Sequence, residues 1–312
     1  MLRLDLHGIK LSDPFATLFQ LIVMISLHRI IVFITLFLLL NGCSMMRLGY
    51  DNGPHLAWWW IDSYLGFDKE QTPHAKEAIR EWFSWHRTQQ LPEYAKWLAS
   101  VHGKLDDSLT STQVCGESEY LKKMLAPAFA RAVQLSVPIV LKLNDLQLRH
   151  LEQRYKESND ELRSDFLQTD LKERKQASVK RTVKRIENLY GDIDHKQHAF
   201  IVTSVENSPF KPEVWMTERI RQQQAVLQTL TKLTSESATV EQAIAALQKL
   251  IENIQRSDNP DYRAYQLELS EYTCDFIARM HSIATPIQRQ HVIKKFKAWE
   301  RDIRELMMQN PT

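Results

Sequence analysis

Residues 239–255 read TVEQAIAALQKLIENIQ, and their apolar positions recur at intervals of three and four residues. Thr239 precedes the first of them and Gln242 follows three residues later, which is the spacing of an N-terminal capping box. Apolar residues at these intervals share one face of an α-helix. They are Val240, Ile244, Leu247, Ile251 and Ile254. The stretch therefore predicts an amphipathic helix that packs one face against a core.

The remainder of the C-terminal region repeats this pattern. One stripe comprises Tyr262, Tyr265, Leu269, Tyr272 and Phe276, and the next comprises Val292, Phe296, Trp299, Ile303 and Leu306. Three such helices in succession, from about 239 to 308, predict an antiparallel bundle with short loops. No internal repeat is clear enough to indicate a solenoid.

Helix-start signals and scarce glycine extend the helical prediction upstream. Thr72-Pro73 has the pattern of an N-cap followed by proline at the first helical position. Capping-box spacing recurs in Thr110 with Gln113, Asp194 with Gln197, and Thr285 with Gln288. The chain has only eight glycines, whereas β-rich folds normally need more of them for tight turns. We therefore predict an all-α fold.

Two further segments define the middle of the chain. The charged segment from about Asn159 to Tyr190 predicts one long helix with much of its surface in water. Asn207-Ser208-Pro209, followed by Lys211-Pro212, is a helix breaker. It separates a predicted helix near 194–205 from another near 212–233.

The N-terminal region contains the most specific signal. Residues 24–44 read MISLHRIIVFITLFLLLNGCS. His28 and Arg29 form a short positive region, and the apolar run Ile30–Leu40 has the length of a signal-peptide core. That run is shorter than the roughly 20 residues a membrane-spanning helix needs. The pattern predicts a signal peptide over residues 1–42, with the true start at Met24, and a periplasmic helical domain over residues 43–312.

Leu40-Asn41-Gly42-Cys43 resembles a lipobox, the cleavage motif of lipoprotein signal peptidase. Such a motif implies that the Cys43 thiol carries a diacylglycerol and that fatty acids such as palmitate anchor the chain to a membrane. Ser44 is not aspartate, so the resemblance favours the outer membrane over the inner membrane. The alternative is an uncleaved anchor from about Leu21 to Leu40, which Ser26, His28 and Arg29 would interrupt.

Composition limits the partners. Removing residues 1–42 leaves 37 basic and 36 acidic residues, a balance that predicts no nucleic-acid binding. No phosphate-binding loop, dinucleotide fingerprint or nucleophile elbow is present, so we expect no cofactor. His195 and His198 could share a helix face, but no HExxH-like motif supplies further ligands, and we expect no metal.

Aromatic residues concentrate in the N-terminal third, with six of the eight tryptophans between residues 58 and 97. They are typical of a packed core, or alternatively of a surface that stacks on glycan strands or lipid headgroups. Trp58, Trp59 and Trp60 cannot all point the same way on a helix, so at least one is expected to be partly exposed. His86 lies on an apolar stripe, either as a buried histidine or as a general base.

Two more features leave alternatives open. The basic run is either a solvated helix face or a docking face for anionic headgroups or peptidoglycan. It comprises Lys172, Arg174, Lys175, Lys180, Arg181, Lys184 and Arg185. Cys115 and Cys274 are the cysteines that remain after Cys43, and they form either a disulfide or two buried thiols.

Several motifs together resemble a family of Gram-negative envelope lipoproteins known only as a domain of unknown function. They are Leu48-Gly49-Tyr50, Trp60-Ile61-Asp62-Ser63-Tyr64, Trp82 with Trp85-His86-Arg87, and Leu91-Pro92-Glu93-Tyr94. The resemblance is good from about 48 to 98 and loose from there to about 230. It implies export and a helical fold, and it offers no agreed activity.

These observations give three functional hypotheses. The first is a non-catalytic lipoprotein that binds an envelope protein or peptidoglycan, with a candidate cluster of Asp62, Trp82, Trp85, His86 and Arg87. The second is an envelope hydrolase that uses His86 and a carboxylate such as Asp62. The third is a lipid carrier, which would require an apolar cavity between helices.

Overall fold

The computed structural model describes residues 45–309, and every regular element in that range is helical. The predicted all-α fold is therefore confirmed for this part of the chain. The predicted signal peptide and Cys43 lie outside the described residues. None of the helices within 45–309 combines the length and the apolar character needed to cross a bilayer. The residues after Leu48 form one compact unit.

The helices are, in chain order, α1 (Met45–Asp51), α2 (Gly53–Leu65), α3 (Gln71–Trp85), a π-helical turn (His86–Gln90), α4 (Leu91–His102), α5 (Ser111–Val140), α6 (Asp145–Phe166), α7 (Leu171–Tyr190), α8 (His195–Glu206), α9 (Pro212–Ser235), α10 (Val240–Gln255), α11 (Pro260–Ser282) and α12 (Pro286–Met308). The capping boxes predicted at the starts of α5, α8, α10 and α12 are present. The predicted break between α8 and α9 is present as well.

The start of α3 differs from its prediction. Asp68 caps this helix, because its Oδ1 accepts the Gln71 N–H at 2.8 Å while Gln71 Oε1 accepts the Asp68 N–H at 3.2 Å. The Thr72 hydroxyl donates instead to the Asp68 carbonyl. The prediction that Thr72 is the N-cap was wrong, because the preceding Asp68 and Gln71 already form a capping box.

The segment from Asn159 to Tyr190 is not one helix, and that prediction was also wrong. α6 ends at Phe166, and α7 begins at Leu171 after a short loop. Asp170 caps the new helix through its side chain, which accepts the Lys172 and Glu173 backbone N–H groups. Asp170 and Glu173 have the three-residue spacing of a helix start, and this local signal is stronger than the charged periodicity that suggested continuity.

Two clusters form the core. One lies between α4, α7, α8, α11 and α12 and includes Ile201 and Met280, both fully buried. The other lies between α5, α6, α9 and α10 and includes Val137 and Ala243. A disulfide joins Cys115 on α5 to Cys274 on α11, with the two Cα atoms 5.5 Å apart. The bond links the N-terminal half of the helical unit to its C-terminal half.

Two pairs of buried glutamines connect loops that are far apart in sequence. Gln71 and Gln147 exchange side-chain amide hydrogen bonds of 2.6 and 3.1 Å. Gln197 and Gln288 do the same at 2.7 and 2.9 Å. Each of these four glutamines also lies three residues after the side chain that caps its helix start. Each glutamine side chain therefore caps the start of its own helix and also bonds to a glutamine on another helix.

The same local architecture thus occurs twice. The α2–α3 loop meets the α5–α6 loop at the first amide pair, and the α7–α8 loop meets the α11–α12 loop at the second. Gly66 and Gly191 have positive φ angles of 58° and 79° at equivalent turns, a conformation that glycine adopts without strain. His150 and His291, three residues after Gln147 and Gln288, each bond a carbonyl near the matching glycine. The second pair holds α7, α8, α11 and α12 together at one end.

Candidate functional site

His86 lies at the start of the π-helical turn and is only 9% exposed. Its ring stacks on Trp82 with the centroids 4.5 Å apart, and Tyr94 meets it edge-on at 5.4 Å. Nδ1 is hydrogen-bonded to the Tyr50 hydroxyl at 3.0 Å. Burial lowers the pKa of His86 to about 4 and raises the pKa of Tyr50 to about 12. The site therefore favours a neutral, immobilised imidazole.

The neighbours of His86 hold helices together. The Trp82 indole N–H donates to the Ala128 carbonyl on α5 at 2.9 Å. The Arg87 guanidinium donates to the Leu306 carbonyl at the end of α12 and forms a 3.3 Å ion pair with Asp51. Arg87 thus supplies donors to a helix C-terminus, where carbonyls lack partners within the helix. Each of these contacts therefore connects the segment around His86 to another helix.

The π-helical turn after Trp85 accommodates Pro92 near the start of α4. A proline in a regular helix clashes with the carbonyl four residues earlier. Here the Leu91 N–H bonds the His86 carbonyl across the wider turn, and the Thr88 hydroxyl lies 3.2 Å from the Ser84 and Trp85 carbonyls. Trp85 itself is half-buried. The wider turn therefore joins α3 to α4 and accommodates the proline in the first turn of α4.

The structure does not bring Asp62 to His86. Asp62 Oδ1 accepts the backbone N–H of Phe67 at 3.0 Å and so closes the α2–α3 loop. No hydrogen bond joins Asp62 to His86 within the described part of the chain. A hydrolase would need both groups at an open polar cleft, and a histidine stacked beneath tryptophan does not provide one. The hydrolase hypothesis finds no support in this geometry.

We expect the burial of His86 to make stability depend on pH. Between its ordinary value near 6.5 and its folded pKa of about 4, the unfolded chain binds a proton that the folded chain excludes. The free energy of unfolding should therefore fall as pH drops through this window, by up to about 3 kcal/mol from this group. Urea unfolding at pH 7 and pH 4.5 measures the loss, which His86→Gln should reduce.

His74 provides the control for this measurement, since it lies exposed on α3, the helix that leads into the π-helical turn. His74→Gln should leave the difference between the two pH values unchanged. The buried His281, whose pKa burial also lowers, is present in every variant and cancels from the comparison. An unchanged pH dependence in His86→Gln would contradict the assignment.

His195 and His198 are the two histidines that the sequence analysis considered as possible metal ligands. His195 and His198 are both exposed at the start of α8. Among residues 45–309, no group of three or more histidine, cysteine, aspartate or glutamate side chains is arranged to hold a metal ion.

Two of the three consecutive tryptophans on α2 face outward. Trp59 is 70% exposed and Trp60 58% exposed, and Leu56 on the same helix is also exposed. Trp58 stacks on Phe67 with the ring centroids 5.6 Å apart. The aromatic region thus contributes both packing and an exposed apolar face.

A groove of about 790 Å³ is present in the described part of the chain. Its walls are α7, the C-terminal end of α8 with the following loop, and α11. Small-molecule sites typically occupy about 300–1,000 Å³. The groove is therefore large enough to take a ligand.

Four cationic side chains and one carboxylate line this groove: Arg174, Lys175, Arg181, Arg185 and Glu206. Lys175 pairs with Glu206, and Arg174 pairs with Glu213. Arg181 and Arg185 form no ion pair with any described carboxylate. Burial and the charge of Arg185 lower the pKa of Arg181, while Asp165 acts in the opposite direction. The rim of the groove therefore carries two guanidinium groups that no ion pair neutralises.

The floor of the groove is largely apolar. Leu189, Val205 and Phe276 line it and also pack against the first core cluster. Ile277 lies at the edge and remains exposed, and the Tyr272 hydroxyl donates to the Ser204 carbonyl at 2.6 Å. An apolar floor beneath a cationic rim suits a ligand that is both anionic and apolar.

Part of this groove could be anticipated from the sequence. The basic run on α7 suggested a docking face, and the structure divides that run. Four of its members line the groove, whereas Lys172, Lys180 and Lys184 do not. Apart from Leu189 on α7 itself, the apolar floor comes from α8 and α11, some 20 to 100 residues away, and no local pattern reveals that they meet α7.

The comparisons with known proteins identify a family. The chain matches the family described as "Family of unknown function (DUF6279)" over residues 63–263, which is more than half of its length. This match confirms the expected relationship to a domain-of-unknown-function family. No curated protein and no solved structure matches the chain.

Proposed function

The chain belongs to the DUF6279 family, and we propose that it is a lipid-anchored, non-catalytic binding module of the bacterial cell envelope. One observation carries the proposal: the apolar run Ile30–Leu40 ends at Leu40-Asn41-Gly42-Cys43. A signal peptide of this length followed by glycine and cysteine provides both export and a thiol for lipid attachment. The residue after Cys43 is Ser44 and not aspartate, which favours the outer membrane as the location, with the domain facing the periplasm.

Features of the folded unit support this proposal. The Cys115–Cys274 disulfide is of a kind that persists in oxidising compartments such as the periplasm. Trp59 and Trp60 are exposed early in the domain, and tryptophan is favoured at membrane–water interfaces. The groove along α7 is the candidate binding site, and its partner would be an envelope component. The disulfide and the exposed tryptophans thus support the envelope location, and the groove supports a binding role.

Cys43→Ala tests the anchor. We expect the variant to lose incorporation of radiolabelled palmitate completely and to retain the full-length N-terminus, because the thiol is the acceptor of the lipid. The parent should be labelled, lack residues 1–42 and fractionate with outer membranes. Gel autoradiography, N-terminal mass spectrometry and membrane fractionation give the three measurements.

The matched control is Cys274→Ala with Cys115→Ala, which removes the other two cysteines and should leave palmitate labelling intact. Ser44→Asp should move the labelled protein towards the inner membrane. Undiminished labelling of Cys43→Ala would refute the proposed anchor.

A further inference from the structure

We propose that the groove along α7 binds one anionic phospholipid molecule. Its phosphate would lie between Arg181 and Arg185, and an acyl chain would follow Tyr272, Phe276 and Ile277. This inference deepens the proposed binding role and rests on it, since the anchor would hold the groove beside a membrane made of such lipids.

The charge distribution selects an anionic ligand. Arg181 and Arg185 are four residues apart on one helix, an arrangement in which like charges repel. Neither forms an ion pair with a described carboxylate, whereas Lys175 and Arg174 do. Guanidinium groups bind phosphate through paired, charge-assisted hydrogen bonds. Ser178 and Thr182 line the groove on the same helix, and the Thr182 hydroxyl donates to the Ser178 carbonyl.

The surroundings of Arg181 show that one arginine is already positioned. Its guanidinium lies 4.4 Å from the centre of the Phe166 ring, and Nη1 donates to the Asp165 carbonyl at 3.0 Å. These contacts occupy part of its donor capacity, since a guanidinium has five N–H groups. The remaining donors and the more exposed Arg185 are available to an anion.

The apolar floor selects a ligand with a hydrocarbon part. A hydrated phosphate would need only the cationic rim and would leave Leu189, Phe276 and Ile277 facing water. An acyl chain covers this surface and gains the free energy of apolar burial. The volume of about 790 Å³ is also far larger than one phosphate requires. An anionic lipid would therefore contact both the cationic rim and the apolar floor of the groove.

The experiment is native mass spectrometry of the full chain, purified in detergent from cell membranes and titrated with short-chain phosphatidylglycerol. We expect one non-covalent phosphatidylglycerol per chain, released by collisional activation. Phosphatidylcholine with the same acyl chains should bind at least tenfold more weakly, because its choline opposes the arginines. Glycerol phosphate, which lacks the acyl chains, should not displace the lipid.

Paired variants assign the binding to the groove. Arg181→Gln with Arg185→Gln should weaken phosphatidylglycerol binding at least tenfold. Lys180→Gln with Lys184→Gln removes the same charge from the same helix outside the groove and should change binding less than twofold. Ile277→Gln tests the floor at an exposed position and should also weaken binding. Thermal unfolding followed by circular dichroism checks that each variant is folded.

Each contrary result overturns the inference. Equal losses in the two charge pairs would show a general electrostatic effect of α7. Equal binding of phosphatidylcholine, or displacement by glycerol phosphate, would exclude an anionic lipid as the specific ligand. The same spectra report the covalent lipid on Cys43, which collisional activation does not release. A chain without covalent lipid that still binds phosphatidylglycerol would refute the anchor alone, and the reverse would refute the groove alone.

Discussion

Replacing Cys115 and Cys274 with alanine is expected to lower the free energy of unfolding by about 5 kcal/mol. The two cysteines are 159 residues apart, so the bond restricts more than half of the unfolded chain. Restricting a long loop lowers the entropy of the unfolded state, and the stabilisation grows slowly with loop length. The effect approaches the whole stability of many domains.

Guanidinium unfolding of the two chains, both carrying Cys43→Ala to avoid thiol exchange, measures this difference. Dithiothreitol provides the internal control, since it should destabilise the parent by a similar amount and leave the double variant unchanged. The double variant should also show a steeper dependence on denaturant, because its unfolded state is less compact. Two freely alkylatable thiols in the oxidised parent would contradict the bond, as would equal stability of the two chains.

The sequence predicted helix starts well because capping is a local interaction. A side chain three residues into a helix reaches back to the N-cap, so the pairs at Thr110, Asp194, Thr239 and Thr285 could be identified from spacing alone. The two wrong predictions also concern local helix-start signals. The charged pattern near Asn159 concealed the local start at Asp170, and Thr72-Pro73 drew attention from the true cap at Asp68.

The candidate site was less accessible to sequence reasoning. The stripe containing His86 correctly indicated an apolar environment, but it gave no sign that Asp62 closes a loop elsewhere. Which residues meet depends on the packing of whole helices, and one sequence holds no record of that. The groove is the clearest example, because its cationic rim is continuous in sequence while its floor is assembled from distant helices.

Gln288→Ala is expected to lower the free energy of unfolding by about 3 kcal/mol. The Gln288 amide makes four hydrogen bonds: Nε2 donates to Gln197 Oε1 and the Asp192 carbonyl, and Oε1 accepts from Gln197 Nε2 and the Thr285 N–H. Removing it takes one of two partners from each polar atom of the buried Gln197 amide, which keeps only the Asp194 N–H and the Ile283 carbonyl. Four buried or partly buried hydrogen bonds are lost together, at about 1 kcal/mol each, which makes this loss larger than that of an exposed cap.

Gln242→Ala is the matched control, because Gln242 has the same position in the capping box of α10 but is exposed and has no partner amide among the described residues. Its loss should cost about 1 kcal/mol or less. Urea unfolding of the single variants and of Gln197→Ala with Gln288→Ala completes a double-mutant cycle. The double variant should lose less than the sum of the single losses by about 1–2 kcal/mol, since each single substitution already removes both hydrogen bonds between the two amides. Additive losses, or equal effects of Gln288→Ala and Gln242→Ala, would mean that the two amides act only as separate caps, and the pairing between distant loops would contribute nothing to stability.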